Sequence, residues 1–189
     1  MKKILTILAV LLIAAVSHAQ KIHYRVIQGD DIIMRTDYFV LKETNQKLLE
    51  MALMYERREG MEKYSLLIGF VEKDKRITVP FGSKLKMKTS QGYVIDAIQE
   101  AEDIIKEYSP ETGRSTIPTS RHGYVSVGYL IISKYAISHE DLLKLANEGL
   151  SKIRIQTSHD NIDCEYSNND WFKEWYAVLY ENIDPYTTF

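Results

Sequence analysis

Alternation of apolar and polar residues is clearest in the second half of the chain. In residues 84–89, Leu85 and Met87 alternate with three lysines, and in residues 152–156 two isoleucines alternate with charged or polar side chains. Successive side chains of a strand point to opposite faces, so each pattern predicts a strand with one buried face. We expect the lysine side of residues 84–89 to meet water.

A helical pattern separates an apolar run at residues 123–137 from the later alternating strand. Ser138 can accept the Asp141 amide hydrogen, while the Asp141 side chain can reach back toward the Ser138 amide, as in a capping box. Leucines then recur at helical spacing, and Gly149 can adopt the left-handed conformation that ends a helix. These residues predict a strand, a capped helix and a second strand.

The first half of the chain carries longer apolar runs. Residues 20–43 predict two short strands around a turn that begins at Gly29. Residues 47–57 have high helix propensity and also alternate, so helix and strand both fit. Residues 64–71 predict a strand, and because a turn at Gly60 precedes it, the two segments resemble a β-hairpin.

The middle of the chain predicts shorter elements. Residues 75–81 predict a short strand that Pro80 confines to a sheet edge or a strand end, because proline cannot donate to a ladder. Residues 93–98 complete a second hairpin with the lysine strand. Residues 99–108 fit a strand or a short helix equally well, and residues 109–122 predict the longest irregular segment.

The C-terminal region predicts a loop and a final helix. Residues 158–167 are polar and acidic, which is typical of a loop, and Asn168 or Asn169 can cap a helix that stops before Pro185. Hairpins followed by helices indicate an α+β fold, with an antiparallel β-sheet built from hairpins and two C-terminal helices packed against it.

The start of the chain predicts export. Two lysines, a short apolar run and small residues at Ser17 and Ala19 form a signal-peptide pattern. We expect residues 1–19 to be cleaved and residues 20–189 to form a single α+β domain in the periplasm or outside the cell. Because the apolar run is too short to span a membrane comfortably, we expect no stable membrane span after cleavage.

Charge disfavours one class of partner, and the cysteine content excludes an internal disulfide. The formal net charge is −2, and loss of Lys2 and Lys3 with the signal peptide makes it −4, which disfavours a nucleic-acid partner. Cys164 is the only cysteine, so the exported chain must be stable without an internal disulfide.

Residues 159–165 bring an imidazole, three carboxylates and a thiol together in sequence. Such oxygen ligands could hold calcium, although the spacing matches no calcium loop and lacks the glycine of the EF-hand. Cys164 could act as a nucleophile only with a lowered pKa and a nearby base. A concave pocket that united His159, Asp163 and Glu165 with another histidine would favour a small hydrolase. The weak metal-ligand candidates are His159, Asp160, Asp163 and Glu165.

The last helix is rich in aromatic residues, in a chain with thirteen tyrosines. At helical spacing they form two adjacent stripes, one of Trp171, Trp175 and Leu179 and the other of Phe172, Tyr176 and Tyr180. Together the stripes cover more surface than a narrow core contact needs. Core packing is the favoured explanation for them, because aromatic residues carry much of the burial of a small domain, and the alternative is that the excess contacts a partner or stacks on a sugar. The candidate surface residues are Trp171, Trp175, Tyr176 and Tyr180.

Two stretches, residues 79–97 and 135–157, resemble small exported proteins of Bacteroidetes that lack an assigned function. The shared pattern is a Gly-Ser-Lys-Leu strand with a glycine-turned hairpin, followed by a capped helix that runs through Gly149 into an alternating strand. The resemblance implies an envelope or secreted location and carries no catalytic residues across. It also favours a strand for residues 47–57.

We therefore expect an exported, non-catalytic binding or interaction module that needs no cofactor. Its partner would be an unknown protein or carbohydrate of the cell envelope. The alternative is a small hydrolase or metal-binding protein that uses residues 159–165.

Overall fold

The computed structural model describes most of the chain after the predicted signal peptide. The described residues are 22–43, 47–72, 78–101, 103–108, 128–167 and 169–183. The predicted signal peptide and the irregular segment at residues 109–122 lie outside them. No helix within the described residues is long and apolar enough to cross a membrane.

The described residues form eleven strands and two helices. The strands are β1 (Ile22–Gln28), β2 (Asp31–Thr36), β3 (Phe39–Glu43), β4 (Lys47–Arg58), β5 (Met61–Glu72), β6 (Lys84–Thr89), β7 (Val94–Gln99), β8 (Ile104–Tyr108), β9 (Gly128–Ile137), β10 (Leu150–Gln156) and β11 (Asn161–Glu165). The helices are α1 (His139–Glu148) and α2 (Trp171–Ile183).

All eleven strands belong to one antiparallel sheet. Its order is β1-β2-β4-β5-β9-β7-β6-β10-β11, with β3 also paired to β4 and β8 also paired to β9. Helix α1 contacts β6, α2 contacts β2, and the two helices contact each other. The predicted α+β class, with an antiparallel sheet and two C-terminal helices packed against it, is confirmed.

The inner face of the sheet, which lies toward the helices, carries the core. Leu85 and Met87 of β6 and Ile153 and Ile155 of β10 are buried there, as their alternation predicts. The helices contribute buried side chains to the same cluster: Leu142, Leu145, Phe172, Trp175 and Leu179. One continuous core therefore joins the sheet to both helices.

The outer face of the sheet, opposite the helices, changes character along its width. In the centre, Ala52 of β4 and the adjacent Leu67 of β5 are buried on this face. In β6, β7 and β10 the outer-face residues are exposed or partly exposed. Lys86 of β6 and Arg154 of β10, for example, are both exposed. The sheet is thus buried on both faces at its centre and on one face in β6, β7 and β10.

Residues 47–57 belong to a strand, as the resemblance favours. Strand β4 pairs with β5 along its whole length, from Lys47 opposite Glu72 to Arg58 opposite Met61. Glu59, which links the two strands with a following glycine, has a φ of 51°, and that glycine has a φ of 77°. Two positive φ values in a two-residue link are typical of the tight turns that join twisted antiparallel strands.

Two predictions in the first part of the chain are wrong. The region predicted as two strands forms three, because Asp37 and Tyr38 interrupt the apolar run between β2 and β3. Residues 78–81 of the strand predicted at 75–81 are not in a strand, and residues 75–77 lie outside the described residues. The backbone of Thr78 instead donates to the Ser158 hydroxyl group and accepts from the Ser158 amide.

Residues 99–108 continue as strand rather than helix, but with an interruption. Strand β7 ends at Gln99, and β8 then pairs with the same edge of β9. In the interruption, the Asp103 carboxylate accepts hydrogen bonds from the Val79 amide at 2.7 Å, the Gln99 side chain at 2.7 Å and the Ser133 hydroxyl group at 2.6 Å. These bonds satisfy buried donors where the ladder is broken.

The predicted cap of α1 is confirmed in its main feature. The Ser138 hydroxyl group accepts the Asp141 amide hydrogen at 3.0 Å. The Asp141 carboxylate accepts from the Ser138 hydroxyl group at 2.7 Å rather than from the predicted amide. Gly149 ends the helix with a φ of 73°, and a Cβ there would lie 2.9 Å from the carbonyl oxygen of Asn169.

Asn169 does not cap α2 as predicted. Its side chain accepts a hydrogen bond from the Leu150 amide and donates one to the Leu150 carbonyl, so it acts as a partner for the first residue of β10. Asn168, the other predicted cap, lies outside the described residues.

Candidate functional site

The predicted acidic loop contains a strand. Residues 161–165 form β11, which pairs with β10 along its length, so the prediction of a loop is wrong for these residues. Asn161, Asp163 and Glu165 alternate with Ile162 and Cys164, and this short alternation is the overlooked signal in the sequence from which a strand could have been predicted. The alternation places Asp163 and Glu165 on the face opposite Cys164.

Neighbouring cations hold the two outer carboxylates. Asp163 accepts two hydrogen bonds from Arg154, at 2.7 and 2.6 Å, and Glu165 lies 2.9 Å from the Lys152 ammonium group. The hydrogen bonds from Arg154 lower the pKa of Asp163 to about 2. Both carboxylates are therefore committed to ion pairs on the outer face.

The remaining members of the acidic segment are dispersed. Cys164 is buried, and burial raises the pKa of its thiol, whereas a nucleophile needs a lowered one. His159 lies in the turn before β11, where its Nδ1 is 2.9 Å from the Ser158 hydroxyl oxygen, and Asp160 follows it. Throughout the described residues, no three His, Cys, Asp or Glu side chains are grouped to hold a metal ion.

The aromatic residues of α2 separate into different environments. Trp175 is completely buried in the core, so it cannot contribute to a partner surface as predicted. Trp171 is half-buried, with its ring centroid 3.7 Å from that of Phe39 and 4.8 Å from that of Tyr166. Both tryptophans therefore serve mainly to hold α2 on the sheet.

The other two candidates belong to an aromatic column, which we define as Tyr64, His139, Tyr176 and Tyr180. The centroid distances along it are 5.1 Å from Tyr64 to His139, 5.9 Å from His139 to Tyr176, and 6.1 Å from Tyr176 to Tyr180, with interplanar angles of 8°, 20° and 20°. Tyr64 is buried and Tyr180 is 62% exposed. The column thus leads from the core to an exposed aromatic ring.

Sequence reasoning missed a basic surface on the outer side of the sheet. We define the basic face as the outer residues of β6 and β10, which are Lys84, Lys86, Lys88, Lys152 and Arg154. Two of its cations lie directly opposite two others, Lys86 across from Arg154 and Lys88 across from Lys152. Like charges in directly opposed positions destabilise a sheet. The lysine pattern of β6 was visible in the sequence, but its pairing with β10 was not.

Three carboxylates partly neutralise the basic face. Asp96 lies 3.1 Å from Lys84, Arg154 binds Asp163, and Lys152 binds Glu165. Within the described part of the chain, neither Lys86 nor Lys88 makes an ion pair. The face therefore keeps an excess of positive charge.

A depression of about 250 Å³ lies within this surface. Its lining combines three cations with two amide side chains: Lys84, Lys86, Arg154, Gln156 and Asn161. Gln156 and Asn161 are opposite each other in the pairing of β10 with β11. Amide groups and cations at the same concavity provide hydrogen-bond donors for an anionic group.

A second cavity, of about 530 Å³, is lined by cations that are paired with nearby carboxylates. It is lined by Glu56, Arg58, Met61, Glu62, Lys63 and Lys134. Lys134 lies 2.5 Å from Glu56 and 3.7 Å from Glu100, and Lys63 lies 2.9 Å from Glu100. The cations Lys63 and Lys134 are thus both paired with carboxylates, in contrast to Lys86 on the basic face.

No family model, curated protein or solved structure matches the chain.

Proposed function

We propose that the protein is an exported, non-catalytic binding module that binds a carbohydrate chain of the cell envelope at the aromatic column. The observation that carries this proposal is the exposed ring of Tyr180 at the end of the stack. Export is supported by the signal-peptide pattern of the first 19 residues. The resemblance to exported Bacteroidetes proteins supports the same location.

The column suits a ligand that stacks. An aromatic ring offers a large apolar contact area, and a ring that is already ordered loses little conformational entropy on binding. Tyr176 supports the ring of Tyr180, His139 supports Tyr176, and Tyr64 is fixed in the core. The apolar side of a sugar ring could therefore extend the stack without reorganising the protein.

Polar atoms beside the rings add hydrogen-bonding capacity. His139 Nε2 lies 3.2 Å from the Tyr176 hydroxyl oxygen, at the middle of the column. Sugars present hydroxyl groups around an apolar ring face, so a site for them needs stacking together with nearby donors and acceptors. The dispersal of Cys164, His159 and Asp163 supports a role in binding rather than hydrolysis.

The test measures retention of the mature protein on immobilised envelope polysaccharide. Tyr180→Ala should weaken binding by about tenfold, since aromatic contacts contribute about 0.5–1.5 kcal/mol beyond the area they bury. Tyr180→Phe should bind as the parent does, because it keeps the ring. Tyr24→Ala is the matched control, since Tyr24 is a half-exposed tyrosine on β1.

Two results would contradict the proposal. If the parent protein bound no polysaccharide and captured a protein from the envelope extract instead, the ligand class would be wrong. If Tyr180→Ala and Tyr24→Ala weakened polysaccharide binding equally, the aromatic column would not be the site.

A further inference from the structure

We infer that the basic face holds an oxyanion, the group shared by phosphate, sulfate and carboxylate ligands, in the depression between Lys86 and Arg154. This site is separate from the aromatic column and rests on different residues.

The register provides the first argument. Lys86 and Arg154 are directly opposed, and in the next outward-facing pair Lys88 and Lys152 are directly opposed as well. Two successive like-charge pairs cost stability in the free protein. An anion between Lys86 and Arg154 would replace that repulsion with two attractive interactions.

The remaining donor capacity provides the second argument. Arg154 uses Nε and Nη2 on Asp163, so its Nη1 group is left for another acceptor. Lys86 has no ion-pair partner in the described part of the chain. Gln156 and Asn161 add neutral amide groups at the same depression.

The positive charge around Lys86 is not a consequence of an overall basic chain. The formal net charge of the chain is −2, so the positive excess at Lys86 is local and does not reflect an overall basic protein. The carboxylates that face the site are Asp96, Asp163 and Glu165. Asp96 is opposite Lys86 in the pairing of β6 with β7, but its ion pair is with Lys84, and Asp163 and Glu165 pair with Arg154 and Lys152. Substitution of Lys86 is therefore the most direct test of the site.

The experiment compares thermal unfolding in sodium phosphate, sulfate, acetate and chloride at equal ionic strength, with Kd values from NMR titration. For the parent protein we expect at least one of the three oxyanions to raise Tm by several degrees relative to chloride, since a ligand that binds only the folded state stabilises it. Sulfate and phosphate also raise Tm through their exclusion from the protein surface, so the anion with the lowest Kd in the NMR titration identifies the ligand group as phosphate, sulfate or carboxylate.

Two variants separate a built site from diffuse charge. Lys86→Gln should weaken oxyanion binding at least about fivefold and change Tm in chloride little, because it removes the repulsion from Arg154 together with the attraction to Asp96 on the other neighbouring strand. Lys88→Gln is the matched control, since it removes the same charge from the same face of β6 at a position outside the depression. It should change Kd by less than about twofold.

The inference would be overturned if none of the three oxyanions gave a saturable NMR titration, or if both lysine variants weakened binding equally. Tyr180→Ala should keep the full response to the oxyanion, so failure at the aromatic column and failure at the basic face give different results.

Discussion

The centre of the sheet and its later strands are built on the same antiparallel ladder but face different surroundings. On the outer face, Ala52 of β4 is 0% exposed and Leu67 of β5 is also buried, whereas Val94 of β7 is 59% exposed. A strand buried on both faces needs apolar residues at most positions, and a strand buried on one face needs them at alternate positions. This difference explains which strands could be predicted from the sequence pattern and which part of the outer face is open to a ligand.

The largest expected effect comes from placing a charge on the outer face of each region. Ala52→Glu should destabilise the protein by more than about 4 kcal/mol, because it overpacks a filled site and buries an unpaired carboxylate. Val94→Glu should change the free energy of unfolding by no more than about 0.5 kcal/mol. Urea unfolding of both variants provides the measurement. Similar losses would show that the two regions do not differ as described.

The next effect concerns Gly149, where β10 begins. Gly149→Ala should cost about 2–4 kcal/mol, because its positive φ disfavours a Cβ and that Cβ would lie against Asn169. Gly60→Ala is the control, since Gly60 has a φ of 77° and a Cβ added there would have no other atom within 4 Å. It should cost only about 1 kcal/mol. Equal melting temperatures for the two variants would rule out the close contact at Gly149.

The smallest effect is a titration on the outer face of β11. NMR of the Asp163 carboxyl carbon should give a midpoint near 2, and Arg154→Gln should return it toward about 3.9, the ordinary aspartate value. The folded pKa lies below the unfolded one, so the ion pair stabilises the protein above about pH 4, and that contribution is lost as the pH falls toward 2. A midpoint that did not move in the variant would mean that Arg154 is not the cause.

Much of the fold could be predicted because one-faced burial leaves a periodic record. The strands at residues 84–89 and 150–156 and the cap at Ser138 follow from local patterns. Residues 47–57 remained ambiguous because their alternation of apolar with polar or small residues is combined with high helix propensity. Local propensity alone favoured a helix there, and pairing with β5 decided the outcome.

The candidate sites show the same limit. Tyr176 and Tyr180 were predicted from helical spacing, but spacing alone did not show that Trp175 faces the core. The role of Asn169 was misassigned because a short polar side chain before a helix usually caps it, and here it bonds the Leu150 backbone instead. The basic face could not be predicted because Lys86 and Arg154 meet only through long-range strand pairing.

The position of β9 in the sheet has a consequence for the rate of folding. It pairs with β5 along one edge and with β7 and β8 along the other, so among the described strands it joins the two parts of the sheet. Hairpins such as β4–β5 close through short turns and form within about 1–10 μs. Docking of β9 on β5 must close a much longer loop, whose entropic cost rises with its length. We therefore expect β9 to set the refolding rate of the whole chain, and stopped-flow refolding of β9 variants would measure this.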